Sequence, residues 1–183
     1  ARGERDSTFA AGSHLITGGL GALGLHVARW LVDRGARHLI LTGRHGPETD
    51  LQRTAIEKLR AEGCDVHLLQ ADLCDREEVR RLLSEIQSEL PPLRGIIHTA
   101  GVVDDAALLH QDWARFERVL NPKVAGAWHL HSLTANLDFF IMFSSAAGLL
   151  GSPGQANYAA ANAFLDALAG YRRSQGLPAT TVA

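Results

Sequence analysis

The sequence has few cysteines, almost no excess of charge of either sign and no long apolar run, and each of these absences excludes a class of protein. The two cysteines, Cys64 and Cys74, form neither a CxxC motif nor a disulfide framework, so we expect free thiols in a reducing, cytoplasmic setting. A formal net charge of -2 indicates no nucleic acid and no membrane surface as a partner. Since no apolar run approaches the roughly 20 residues of a membrane span, we expect no membrane helix.

Histidine is more frequent, but the nine histidines are scattered without the paired spacing of a metal site. His129 and His131 are the closest pair, and they fall in a predicted helix, where side chains two residues apart diverge. The sequence therefore predicts no bound metal.

Short apolar runs alternate with amphipathic stretches along the chain. The runs predict strands at 14–17, 38–42, 65–70, 95–98, 137–143 and 179–182. The amphipathic stretches predict helices at 24–34, 50–62, 75–88, 113–133 and 157–170. Such alternation is typical of parallel strands joined by helical crossovers. We predict an α/β fold, a Rossmann-like doubly wound parallel sheet with helices on both faces.

Local signals place several helix ends. Gly35 and Gly63 follow predicted helices, where a left-handed cap favours glycine. Asp75 can cap the helix that begins beside it, and Pro122 can interrupt the long helix 113–133. The fifth strand is apolar enough to be buried on both faces. The core candidates of the first helix are Leu25, Ala28, Trp30 and Leu31.

A glycine-rich turn directly follows the first predicted strand. Gly19, Gly21 and Gly24 satisfy GxGxxG between a strand and a helix, the context in which this pattern binds a dinucleotide. Glycine lets the backbone approach a pyrophosphate, and the helix N-terminus adds unpaired N–H groups and a positive dipole end. A packing turn between strand and helix would use the same glycines. The predicted cofactor-binding residues here are Thr17, Gly18, Gly19, Leu20, Gly21, Leu23 and Gly24.

Residues after the next strands bear on which dinucleotide is bound. Arg44 lies twenty residues past Gly24, where NAD-binding proteins usually have an acidic residue on the ribose 2′-OH. A guanidinium suits a 2′-phosphate, so we predict NADPH, although a solvated surface arginine would look the same. Asp72 can meet the adenine amine or cap the next helix. Ala100 and Gly101 carry no bulky side chain, so a cofactor can approach the main chain there. A simple tight turn would use the same small residues. The remaining predicted cofactor-binding residues are Leu73, Ala100 and Gly101.

Residues near the fifth strand suit a carbonyl reduction. That reaction needs an acid, a donor to the carbonyl and a cation that makes the acid usable, because a free tyrosine titrates near pH ~10. Ser144 and Ser145 end the strand at the edge where ligands bind, and strand alternation points them to opposite faces. Tyr158 follows Ser145 by thirteen residues and shares a helix face with Asn162.

These residues together resemble the short-chain dehydrogenase/reductase family, whose serine precedes the active tyrosine by a similar interval. The usual Tyr-xxx-Lys pattern is broken here, because Asn162 stands where the lysine is expected. Ketoreductase domains of modular polyketide synthases are similar in having this exchange, with a lysine upstream, as Lys123 is here. Reducing domains of animal fatty acid synthases are the nearest confusable group. The resemblance extends from about residue 12 to the end, and further similar phrases lie at 98–105, 143–148 and 154–166.

The resemblance implies an oxidoreductase, an NADPH-dependent β-ketoacyl reductase that yields a β-hydroxyacyl thioester. Tyr158 then corresponds to the proton donor and Ser145 to the hydroxyl that binds the substrate carbonyl. Lys123 corresponds to the cation beside the tyrosine and the cofactor ribose, and Asn162 to a positioning or relay group. The implied partners are an acyl carrier protein with its phosphopantetheine-bound chain and the neighbouring domains of a megasynthase.

The same resemblance bears on stereochemistry. Enzymes called B-type have a Leu-Asp-Asp-like motif after the fourth strand, and this chain has Val103, Asp104 and Asp105 there. The A-type group has a tryptophan shortly before the tyrosine, and 146–157 contains none. Ala160 stands where members that use epimerised α-methyl substrates tend to have proline. We expect a B-type enzyme that gives the D-hydroxyl, while a solvated loop would also accommodate two aspartates.

Two other functions stay open at this point. A standalone short-chain reductase of free small molecules is disfavoured by the exchanged Lys123 and Asn162, and a non-catalytic dinucleotide-fold scaffold module by the intact turn, serine and tyrosine. Residues 1–12 are predicted to be a linker or terminal edge, and 13–183 the NADPH-binding catalytic subdomain. Since family members continue with a last strand and a substrate lid, the fold is predicted to be truncated before both.

Overall fold

The computed structural model describes residues 9–183, so most of the predicted linker lies outside the described residues. The predicted alternation of strands and helices is confirmed. The strands are β1 (Ser13–Thr17), β2 (His38–Gly43), β3 (Asp65–Gln70), β4 (Leu93–His98), β5 (Phe139–Phe143) and β6 (Thr180–Val182). The α-helices are α1 (Ala22–Asp33), α2 (Asp50–Ala61), α3 (Arg76–Glu89), α4 (Trp113–Leu120), α5 (Gly126–Leu133), α6 (Ala147–Leu150) and α7 (Ala156–Ser174).

The six strands form one parallel sheet in the order β3-β2-β1-β4-β5-β6. This is the doubly wound order, in which the strand order reverses between β1 and β4. Thr17 at the end of β1 lies in register with Thr42 of β2 and with His98 of β4. Three strands therefore end side by side, and their following loops open onto one crevice.

A separate apolar cluster packs on each face of the sheet. Leu15 and Ile40 belong to one cluster, and Ile16 and Leu39 to the other, because side chains alternate along each strand. Ala28 and Leu31 are fully buried, as predicted for the core face of α1. The prediction for Trp30 is wrong, since its side chain is 42% exposed and stacks beneath the Arg34 guanidinium, 4.3 Å from the ring centroid.

Helix ends follow the predicted local chemistry. Gly35 and Gly63 adopt positive φ angles of 100° and 84° directly after α1 and α2, a conformation that favours glycine. Asp75 caps α3 by accepting hydrogen bonds from the main-chain N–H groups of Glu77 and Glu78. These contacts satisfy groups that a helix end otherwise leaves unpaired.

Two elements differ from the prediction. Strand β5 begins at Phe139 rather than 137. Phe140 and Met142 are buried in one apolar cluster, and the side chains on the other face are partly buried against the second cluster, so both faces are covered but unequally. The long α-helix is interrupted around Pro122, as predicted, but the interruption is itself helical. The chain continues through a π-helical turn, Asn121–Ala125, that joins α4 to α5. A wider turn accommodates proline because it removes the need for the N–H group that proline lacks.

Cys64 and Cys74 are both free thiols. Burial raises the pKa of each to about 11. Within residues 9–183, no helix combines the length and the apolar character that a membrane span requires. His129 and His131 diverge as expected on α5, the first contacting the Leu73 carbonyl and the second the Arg172 guanidinium.

Candidate functional site

A crevice of about 500 Å³ opens at the carboxyl ends of β1, β2, β3 and β4. This is the edge at which open α/β sheets bind ligands. Most of the predicted cofactor-binding residues line it, together with residues that sequence reasoning missed. The predicted residues in its wall are Gly18, Leu20, Gly21, Arg44, Asp72, Leu73, Ala100 and Gly101. The missed ones include Thr42, His45, Gln52 and Arg118.

The glycine turn is packed so closely that side chains cannot replace its hydrogens. Gly18 has a positive φ of 65°, and a Cβ there would lie 2.8 Å from the Ala100 Cα. A Cβ on Gly24 would lie 2.4 Å from the Gly18 carbonyl oxygen. The turn thus brings the start of α1 against β1 and exposes main chain to the crevice.

The other residues predicted in this turn do not line the crevice. Thr17 is fully buried, and its hydroxyl is hydrogen-bonded to the Nδ1 atom of His98 at 2.7 Å. Gly19 and Gly24 pack within the turn, and Leu23 projects from α1 with 43% of its surface exposed. These four residues shape the turn rather than its crevice-facing surface.

The N-terminus of α1 differs from those of the next three helices. Side chains of Thr49, Asp75 and Asp112 cap α2, α3 and α4. Gly21 begins α1 with no side-chain cap, and Gly21 itself lines the crevice. The first-turn N–H groups of α1 are therefore left for a ligand, and the positive end of the helix dipole favours an anion there.

Arg44 and Asp72 lie in the same crevice at the ends of β2 and β3. Arg44 is exposed and takes part in no ion pair among residues 9–183. One carboxylate oxygen of Asp72 accepts a hydrogen bond from the Cys74 N–H at 2.9 Å, which fixes the side chain in an Asx turn. Asp75, and not Asp72, caps the following helix.

The π-helical turn presents Lys123 to the end of β5. The side chain is only 5% exposed, and its Nζ atom donates a hydrogen bond to the Phe143 carbonyl oxygen at 2.8 Å. Burial lowers the pKa of Lys123 to about 8, although the negative charge of Asp166 acts in the opposite direction. The Nζ atom lies 5.4 Å from the centroid of the Tyr158 ring.

Tyr158 and Asn162 occupy successive turns of α7 beside this lysine. The Asn162 side-chain amide donates to the Tyr158 carbonyl oxygen at 2.8 Å. Asn162 is fully buried, yet its Oδ1 atom has no hydrogen-bond partner among the described residues. A buried polar atom without a partner is uncommon and favours a role for this oxygen in a hydrogen-bonded chain with a ligand or water.

Ser144 and Ser145 have different surroundings. The Ser144 hydroxyl donates to the Asp166 carboxylate at 3.0 Å, so it faces away from Tyr158 along α7. The Ser145 hydroxyl oxygen accepts a hydrogen bond from the Ala147 N–H at 3.2 Å. Its own proton has no acceptor within the part of the chain that the structure describes. Ser145 is therefore the serine that can still donate to a carbonyl.

The loop 103–105 is held by charged and polar side chains from two helices. The Asp104 carboxylate accepts hydrogen bonds from the guanidinium groups of Arg115 and Arg118, and its side chain is only 13% exposed. The Asp105 carboxylate accepts a hydrogen bond from the Gln155 amide at 3.0 Å. Val103 stays 59% exposed. Asp104 is thus held by ion pairs in a half-buried position, whereas Asp105 stays exposed.

Asn157 and Asp166 are site residues that sequence reasoning missed. Asn157 is fully buried next to Tyr158, and Asp166 binds Ser144 and faces the charge of Lys123. A sequence signal existed for both, since Asp166 lies two helical turns after Tyr158 and Asn157 directly before it.

The family profile that matches the chain, over residues 12–183, is described as "KR domain". The chain belongs to the KR domain family. The resemblance predicted from the sequence is thereby confirmed, and the KR domain has the short-chain dehydrogenase/reductase fold described above.

Proteins similar to this KR domain include polyketide synthases. It is 52% identical over 177 residues to the spectinabilin polyketide synthase system protein NorB of Streptomyces orinoci, covering 94% of this chain and 8% of that protein. It is 48% identical over 178 residues to mycoketide-CoA synthase of Mycobacterium tuberculosis, covering 96% of this chain and 4% of that protein. The KR domain therefore spans only a small part of these curated relatives.

Solved structures similar to this KR domain are also ketoreductases of polyketide synthases. The KR domain matches an A-type ketoreductase from a modular polyketide synthase with a TM-score of 0.90 and 42% identity, covering 100% of this chain and 39% of that one. It matches the first ketoreductase of the tylosin polyketide synthase with a TM-score of 0.86 and 46% identity, covering 94% of this chain and 38% of that one.

Proposed function

We propose that this KR domain catalyses the NADPH-dependent reduction of a β-ketoacyl thioester to a β-hydroxyacyl thioester in polyketide biosynthesis. One observation carries the proposal. The Lys123 ammonium lies 5.4 Å from the Tyr158 ring, at the same sheet edge as an uncapped, glycine-lined helix N-terminus. The catalytic side chains do not line the crevice itself, but Lys123 packs against Gly101 in its wall. A proton donor therefore lies next to a candidate dinucleotide site, as a carbonyl reduction requires.

The residues of the crevice suit NADPH. The N–H groups at the start of α1 and the main chain at Gly18 and Gly21 would hold the pyrophosphate. Arg44, exposed at the rim, would pair with the 2′-phosphate, and Asp72 would receive the adenine amine. When bound, NADPH supplies the hydride that reduces the carbonyl carbon.

The chain's own residues supply the proton and hold the substrate. Ser145 donates a hydrogen bond to the carbonyl oxygen and orients it toward Tyr158. The Tyr158 hydroxyl transfers its proton to that oxygen as negative charge develops there, and the nearby Lys123 ammonium stabilises the tyrosinate that results. Asn162 lies one helical turn after Tyr158, and its unpartnered Oδ1 atom would accept a hydrogen bond from a water molecule that returns a proton to the tyrosine.

The substrate is proposed to arrive on the phosphopantetheine arm of an acyl carrier protein, with neighbouring megasynthase domains as partners, in the cytoplasm. The relatives support this, because they are polyketide synthases of which the matching region is one part. The exchanged positions of Lys123 and Asn162 also support it over a standalone reductase.

We also propose B-type stereochemistry with a D-configured β-hydroxyl. Support comes from the loop 103–105, where Asp104 is held by Arg115 and Arg118 while Val103 remains exposed. No tryptophan lies between 146 and 157 to direct the acyl arm otherwise. The likeness to an A-type ketoreductase covers the whole chain and does not by itself set the stereochemical type.

The test is an assay of the purified protein with NADPH and a β-ketoacyl thioester, followed at the absorbance band of the reduced nicotinamide. We expect oxidation of NADPH that depends on the thioester, faster with the carrier-bound substrate than with a free thioester analogue. Chiral chromatography of the product should give mainly the D-alcohol. A mainly L-configured alcohol contradicts the B-type proposal alone, whereas no NADPH oxidation with either substrate contradicts the reductase.

A further inference from the structure

Two histidines and an aspartate meet at the end of the sheet opposite the crevice. His38 begins β2, Asp65 begins β3, and His67 lies two residues further along β3. Their ligand atoms all lie within 4.8 Å of one another. Since the crevice is at the other end of these six-residue strands, about 17 Å away, this cluster has no part in the proposed reduction.

The strand register brings the three side chains together. His38 pairs with Asp65, and His67 pairs with Ile40, two residues beyond His38. Paired residues in a parallel sheet point to the same face, and so do residues two apart on one strand. The arrangement is therefore fixed by main-chain pairing and not by mobile side-chain contacts.

Both imidazoles converge on one carboxylate oxygen. The Oδ2 atom of Asp65 lies 2.9 Å from the Nε2 atom of His67 and 3.7 Å from the Nδ1 atom of His38. The second distance is too long for a hydrogen bond, and the buried Nδ1 atom of His38 has no hydrogen-bond partner in the described chain. A single His–Asp hydrogen bond explains His67 but leaves His38 unexplained.

We propose that His38, Asp65 and His67 bind one divalent transition-metal ion of the Zn²⁺ class. Two imidazoles and one carboxylate form a familiar ligand set for such ions, with a fourth position left for water. Ligand atoms about 2.0–2.1 Å from a tetrahedral zinc ion lie about 3.4 Å apart. The observed 2.9 Å and 3.7 Å separations lie on either side of that value, and the two imidazole nitrogens lie within 4.8 Å of each other, so the side chains would draw together around an ion.

The metal would link the start of β2 to the start of β3, the strand at one edge of the described sheet. The bound metal would stabilise the folded protein, because a ligand that binds only the folded state raises the free energy of unfolding. The sequence prediction of no metal relied on spacing along the chain. Spacing along the chain does not reveal this site, because His38 and His67 come from different strands.

Isothermal titration of the metal-free protein with Zn²⁺ at pH ~7.5 tests the proposal. We expect saturable binding of one ion per chain and a higher thermal unfolding midpoint when Zn²⁺ is present. Loss of even an outer-shell partner weakens metal sites by about 10–100-fold, so His67→Ala and His38→Ala should each weaken binding by at least about tenfold. Circular dichroism of each variant without metal establishes that it is folded.

Two further variants serve as controls. His26→Ala removes an exposed histidine of α1 outside the cluster and should leave Zn²⁺ affinity unchanged. Cys64→Ala tests the neighbouring thiol, which is buried, and should also retain binding. The proposal is overturned if the protein shows no saturable Zn²⁺ binding, if folded His38→Ala and His67→Ala variants bind as tightly as the parent, or if binding depends on Cys64.

Discussion

The Asn157 side-chain amide donates a hydrogen bond to the main-chain oxygen of Asp104 at 2.9 Å. The same amide contacts the Arg115 carbonyl oxygen at 3.3 Å, and the Asn157 Oδ1 atom accepts from the Tyr158 N–H at 2.8 Å. One fully buried side chain thus joins loop 103–105, helix α4 and the first turn of α7. Because Tyr158 follows directly, this contact fixes the main chain at Tyr158 relative to loop 103–105.

Replacing Asn157 should therefore disturb catalysis without touching the cofactor. Asn157→Asp keeps the shape and the acceptor but loses both donated hydrogen bonds. A misplaced catalytic group can cost up to about a hundredfold in rate, so we expect kcat to fall by about ten- to a hundredfold with NADPH affinity unchanged. Steady-state kinetics and fluorescence titration with NADPH measure the two quantities.

Gln155→Ala is the matched control for Asn157. It removes the contact with Asp105 from a partly exposed position and should reduce kcat much less. An Asn157→Asp variant with parental kcat would mean that the first turn of α7 is held without this amide.

Tyr158→Phe should abolish most reduction while NADPH still binds, because the ring remains and only the proton is lost. Loss of a general acid typically costs about 10²–10⁴-fold in rate. Tyr171→Phe is the control, since Tyr171 is the only other tyrosine and lies near the far end of α7. Turnover of Tyr158→Phe close to that of Tyr171→Phe would remove Tyr158 from the mechanism.

Arg44→Asp should reverse the cofactor preference. The substitution puts a carboxylate where the 2′-phosphate is proposed to bind, and a charge-assisted contact is worth about 1.5–3 kcal/mol. We expect NADPH affinity to fall about ten- to a hundredfold, with NADH improved relative to it. Arg81→Asp makes the same charge change on α3, away from the crevice, and should leave the ratio of kcat/KM values for NADPH and NADH at the parental value.

Much of the fold was predictable because its causes are local. Alternation of apolar runs with amphipathic stretches placed all six strands, and glycines with positive φ ended α1 and α2 as expected. Trp30 was mispredicted because periodicity identifies a helix face but not its margin, where a large ring stays half exposed. The π-helical turn at Pro122 depends on the packing of α4 and α5 around it, which no sequence pattern shows.

The candidate site was predictable to the extent that its motifs are contiguous. The glycine turn and the Tyr158–Asn162 pair each occupy one short segment. The contacts of Asp104 with Arg115 and Arg118, and of Ser144 with Asp166, cross between elements and depend on tertiary packing. Thr17 was placed in the cofactor site because it adjoins the turn, yet its side chain points inward to His98.

The buried state of Lys123 predicts how activity responds to pH. Its pKa is lowered to about 8 by burial, so the ammonium is lost as pH rises through that value. If this charge supports proton transfer from Tyr158, the rate at saturating substrates should decline on the alkaline side with a midpoint near 8. In Lys123→Arg the cation persists, since a guanidinium keeps its proton up to about pH 12. The midpoint of the alkaline decline should therefore move to higher pH, even if the maximal rate is lower.

Stability should respond to pH in the opposite direction. An unfolded lysine titrates near pH ~10.4, so between about 8 and about 10 the unfolded chain binds a proton that the folded chain has released. The free energy of unfolding should therefore rise with pH across that window, by at most about 1.4 kcal/mol per pH unit from this group. Denaturant titrations at several pH values give the free energy of unfolding of the parent and of Lys123→Met. The change in that free energy per pH unit should be larger for the parent, by this contribution. A parent whose rate and stability both decline together above pH ~8 would show general alkaline unfolding rather than the loss of the Lys123 charge.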